Sequence, residues 1–123
     1  MKAVTTVRYA MIYKDGLEIP LKAELADSFF KRFKGLMFRK SMASESALLL
    51  SPCNAIHTFS MRFPIDVVYL DSAARVVHVE KSVQPNKIGK TIKSATSILE
   101  LNAGMAEKMS LKSGDLLEIV KTS

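Results

Sequence analysis

The sequence predicts a mainly β, compact single domain, a β-barrel or jelly-roll-like sandwich of about eight short strands with two short helices. Three observations carry that expectation. The chain has 123 residues, a length that suits one domain, and 48% of them are hydrophobic, enough to fill a core without disulfides or metals. Its apolar runs are short and rich in β-branched and aromatic residues, which suits strands better than helices. Turn-forming residues separate those runs, and no repeat, low-complexity tract or linker divides residues 1–123 into more than one unit.

Taken in order, residues 6–13 and 17–25 flank Lys14-Asp15-Gly16, where glycine can take the positive φ of a tight turn, so they are expected to form a hairpin. Asp27 has a side chain that can cap a short helix, along which Phe29, Phe30, Phe33 and Met37 recur at helical spacing, and Gly35 would end it. Residues 47–50, 55–61 and 66–70 are too short for good helices and are read as strands. Residues 75–79 follow the polar Asp71-Ser72 turn as the second arm of another hairpin. Between 81 and 93 stand Pro85, Asn86, Gly89 and four lysines without an acid, a composition that predicts an exposed loop. Residues 96–101 resume as a strand, Asn102 is placed to cap a short helix through Met109, and Ser113-Gly114-Asp115 turns the chain into a last strand at 116–120.

Composition narrows the function classes. No apolar stretch approaches the roughly 20 residues that a membrane-spanning helix needs, and Arg8, Lys14 and Asp15 interrupt the amino-terminal run before it could serve as a secretory signal. A cytoplasmic protein without membrane insertion is therefore expected. Cys53 is the single cysteine, so no internal disulfide or multi-thiolate metal site can form, and no metal or cofactor is expected. The net charge of +6 favours anionic partners but also serves solubility. Two basic clusters, Lys31, Arg32, Lys34, Arg39 and Lys40, then Lys81, Lys87, Lys90 and Lys93, lack a phosphate loop or interleaved aromatics, which argues against nucleic acid.

Three segments carry a family resemblance. They are Arg32-Phe33-Lys34-Gly35-Leu36-Met37-Phe38-Arg39, the run CNAIHTFSMRFPIDVVYLD from Cys53 to Asp71, and Ile98-Leu99-Glu100-Leu101-Asn102-Ala103-Gly104. In order and spacing they resemble the bacterial and archaeal family known as domain of unknown function 192, over a core of residues 30–115. The resemblance implies a compact β domain of the barrel or jelly-roll kind and implies no known reaction. This chain looks like the shorter form of the family, with fewer residues between Met61 and Asp66, and that form implies a link to secretion or pilus assembly loci.

Cys53 and His57 could act as nucleophile and base or share a metal, but an extended segment would hold their Cα atoms roughly 13 Å apart. Only a turn at Pro52-Cys53-Asn54 would join them, and Cys53 is read as a small buried hydrophobe. If residues 54–70 are extended, His57 shares one face with Phe59, Met61 and Phe63, and Arg62 points to the other. His57, Phe59, Met61 and Arg62 are thus the expected ligand-binding set, an apolar wall with a few polar groups. His78 is read as a surface residue. Asp66 is expected to pair with Arg62 or Arg39, and Arg32 and Arg39 to tie the helix to the sheet as structural ion pairs. Glu100 alternates with Leu99 and Leu101, which suits a solvent-facing position, yet it lies in a family-like segment and stays a site candidate with Asn102.

The function expected from these residues is a non-catalytic binding or accessory module that takes a small anionic ligand or a peptide. One alternative is a hydrolase using His57 with Asp66 or Glu100 as acid and base. Another is an interaction module that offers a sheet edge or the lysine loop to a protein partner.

Overall fold

The computed structural model describes residues 7–122. Seven strands and two short helices follow in the order β1 (Tyr9–Lys14), β2 (Leu17–Ala26), α1 (Phe29–Lys34), β3 (Ser46–Leu50), β4 (Ile65–Leu70), β5 (Val76–Val83), β6 (Ser97–Asn102), α2 (Met105–Lys108) and β7 (Leu117–Lys121). All seven strands join one sheet in the order β5-β4-β6-β3-β2-β1-β7. β2 and β3 pair in parallel, and the other neighbours are antiparallel. The outer strands β5 and β7 approach at one end through the single bridge Arg75–Leu116, so the sheet curls without closing into a barrel.

The mainly β expectation holds, with seven strands in place of about eight. The expected hairpin is β1 and β2, turned through Asp15 and Gly16 at positive φ; Thr6 lies outside the described residues. The difference is at residues 55–61, which make only the isolated bridge His57–Ile88 and otherwise run as irregular loop. Their backbone bonds go instead to the segment 86–92, as in Asn86 N to Thr58 O and Gly89 N to Ile56 O. The lysine-rich segment also starts later than expected, because β5 pairs with β4 as far as Val83.

Alternation along the central strands builds two cores. Leu49, Leu99, Leu101, Val68 and Leu70 face a cluster that β1, β2 and α2 complete. Leu48, Leu50, Val67, Tyr69 and Ile98 face the other way and are covered by Leu36, Ile56, Met61 and Ala95 from the connecting segments. The second face is thus roofed by the turn that follows α1 and by loops rather than by another sheet. Arg32, Cys53, His57 and Met61 gather at that roof.

α1 starts at Ser28, whose side chain accepts the Lys31 amide at 3.2 Å, and not at Asp27, whose carboxylate meets Arg8 at 3.1 Å. Gly35 ends it at φ +46, its N–H donating to the Lys31 carbonyl. Asn102 is likewise no cap. Its amide donates to the Met42 and Ala43 carbonyls, and Gly104 precedes α2.

Candidate functional site

Glu100 sits mid-strand in β6, opposite Leu48 of β3 and Val67 of β4. Its side chain belongs to the loop-covered face, and only 2% of it is exposed. Among the described residues, its Oε1 has no hydrogen-bond partner. A Cβ added at Gly35 would lie 3.4 Å from that oxygen, so the end of α1 passes directly over the carboxyl. Burial pushes the Glu100 carboxyl up to about 8, with Arg39 opposing the shift. At neutral pH the group is mostly a neutral acid, able to donate a hydrogen bond that nothing in the fold accepts.

Glu100 is part of the lining of a cavity of about 210 Å³ between α1, the loop 53–61 and β6. Leu36, Leu50, Ile56 and Met61 supply apolar wall, and Arg32, Lys34, Cys53 and His57 supply the polar groups. Arg32 is held in place by donating from Nη1 to the Asp27 carbonyl at 2.8 Å. Cys53 donates to the Ala55 carbonyl at 3.0 Å, and burial pushes its thiol up, which disfavours the thiolate. The His57 ring lies between those of Phe33 and Phe59, at centroid distances of 5.4 and 5.1 Å, and its Nδ1 accepts the Phe59 amide at 3.2 Å.

The structure brings together His57, Met61, Glu100, Arg32 and Cys53, but not the whole expected set. Phe59 is exposed outside the cavity, stacked on His57, and Arg62 points to solvent. The reason is the irregular backbone at 55–61, which breaks the alternation on which that set rested. Asp66 makes no ion pair with Arg62 or Arg39. Buried on the opposite face, it accepts the amides of Ser82, Gly104 and Ala106 at 2.9–3.0 Å and so anchors α2 to β4 and β5. Arg39 lies 3.4 Å from Glu24, and Arg32 bonds to a carbonyl rather than to an acid. Glu100 is a buried strand residue and not a solvent-facing one. His78 is half-buried against Tyr69, at 5.5 Å between ring centroids.

Two contributors were not singled out from sequence. Gly35, which ends α1, also passes over Glu100, where a Cβ would sit in ordinary contact with Oε1 at 3.4 Å, and its φ of +46 is one that a side chain would strain. Thr58 is fully buried, and its Oγ1 donates to the Gln84 carbonyl at 2.7 Å and accepts the Lys87 amide at 2.8 Å, stitching the two covering loops together. Nothing local in the sequence signals that role, since its partners lie 26 and 29 residues away.

The three family-like segments therefore meet around one cavity, as Arg32 to Met37, Cys53 to Met61, and Glu100. The model of the DUF192 family, described as uncharacterized ACR, matches residues 11–119. This chain belongs to the DUF192 family. Similar relatives are a UPF0127 protein of Thermococcus kodakarensis, 36% identical over 82% of this chain and 66% of its own length, and one of Pyrococcus furiosus, 34% identical over 84% and 90%. The chain spans just under two thirds of the Thermococcus kodakarensis and Thermococcus gammatolerans relatives, 66% and 63%. Among solved structures, a protein of unknown function from Novosphingobium aromaticivorans aligns at TM-score 0.77 with 21% identity, covering 91% of this chain and 84% of that one. A candidate transcription regulator from Sinorhizobium meliloti aligns at TM-score 0.80 with 22% identity, covering 96% and 97%. At that identity the likeness speaks for the DUF192 fold alone.

Proposed function

We propose that this DUF192 protein is a non-catalytic module that binds a small molecule in the cavity beneath α1. The observation that carries this reading is Glu100, a residue of the cavity lining whose Oε1 is buried without a partner. A buried polar group without a hydrogen bond costs about 1–3 kcal/mol, a cost that a ligand accepting or donating there would relieve. The apolar walls and few convergent polar groups have the make-up of a small-molecule site. Catalytic machinery is poorly supported by comparison. Asp66 is engaged by three backbone amides, the Cys53 thiol is disfavoured as a nucleophile, and the Nδ1 lone pair of His57 is occupied.

The test is a fragment library titrated into the ¹⁵N-labelled full chain and followed by NMR. Binding fragments should move the amides of Gly35, Ala55, His57 and Glu100 and be recovered chemically unchanged. Perturbations confined to other surfaces, no perturbation at all, or consumption of the fragments would each overturn the reading.

A further inference from the structure

We infer that the cavity takes a small monocarboxylate with an apolar body, whose carboxylate accepts a hydrogen bond from protonated Glu100 while Arg32 and Lys34 balance its charge. This deepens the binding reading above and rests on it. The geometry supplies both halves of such a ligand's environment. Leu36, Leu50, Ile56 and Met61 give the apolar body its contacts, and Glu100, whose Oε1 is buried without a partner, belongs to the same lining. Arg32, fixed through the Asp27 carbonyl, and Lys34 both line the same space.

Other ligand chemistries fit worse. An amine would meet two cations in the lining and would need Glu100 ionised within an apolar wall, the state that burial opposes. Among the described residues no group of three or more His, Cys, Asp or Glu can hold a metal ion. A cavity of about 210 Å³ suits a ring or short chain rather than a peptide segment.

Proton linkage follows. Ionised Glu100 would repel the ligand's carboxylate, so affinity must fall as pH rises. The charged and titratable groups that share the cavity lining with Glu100 are Arg32 and Lys34 from α1 and Cys53 and His57 from the loop, and Arg39, paired with Glu24, and Tyr69 of β4 also act on it electrostatically.

Benzoate binding by calorimetry is the test, on the full chain, with benzylamine and benzamide as matched probes. Benzoate should bind more tightly than either, and its affinity should fall about tenfold between pH 7 and pH 9. Glu100→Gln, which keeps a neutral donor, should hold benzoate at pH 7 within ~3-fold of wild type and lose the pH slope. The slope should survive in His57→Ala. Preference for benzylamine, equal benzoate affinity at both pH values, a slope retained in Glu100→Gln, or a slope lost in His57→Ala would overturn the inference. Should fragments perturb the cavity while benzoate does not bind, the monocarboxylate inference falls and the binding reading stands. If nothing perturbs the cavity, both fall.

Discussion

Glu100 and Asp66 are both buried acids, and their surroundings give them opposite tasks. Asp66 receives three amide bonds from segments far along the chain, so its charge is fully engaged in holding α2 and β5 to β4. Glu100 receives none at Oε1, and its folded-state value of about 8 stands above the ordinary 4.5. Between those values the folded chain binds more protons than the unfolded one. Its contribution to stability is therefore whole below pH 4.5 and is lost as pH rises to about 8. Glu100→Gln removes the ionisation, so at pH 7 it should raise unfolding stability by on the order of 3 kcal/mol in urea titrations and flatten the decline with pH. Equal stability of the two proteins at pH 7 and pH 5 would show that Glu100 is solvated. Sequence patterning marked both acids as candidates but not their roles. Alternation says which face of a strand a residue takes, and in a sheet covered on both sides neither face is solvent.

At the scale of elements, legibility followed how local the determinants are. The β1–β2 hairpin was readable because its turn residues lie within it, and so was the stop of α1 at Gly35. Residues 55–61 have the composition of a strand, yet β4 is already paired on both sides, by β5 and β6, and leaves them no partner there. They become roof instead, held to the 84–92 loop by Thr58 and backbone bonds. Thr58→Val keeps the shape but leaves the Lys87 amide and Gln84 carbonyl without that hydroxyl, at a cost of roughly 1–3 kcal/mol. Native-state hydrogen exchange should then quicken at Gly89 and Ile92, whose amides bridge the two loops, with little change in β3 or β6. Uniform quickening across the sheet would mean that the roof is not a separable unit.

Over the whole molecule, the mainly β class is accessible from patterning, with about eight strands expected where seven form, but strand order is not. The parallel β2–β3 pair and the placement of β6 between β3 and β4 depend on contacts between segments distant in the chain, which periodicity does not encode. What sets this fold apart from a sandwich is that its second core is closed by the turn after α1 and by loops. A roof of that kind leaves room for a cavity and buries a carboxyl in its wall. The direct measurement is a ¹³C NMR titration of the Glu100 side-chain carboxyl in the ligand-free chain. A midpoint near 8 is the predicted result, and one near the ordinary 4.5 would contradict the account.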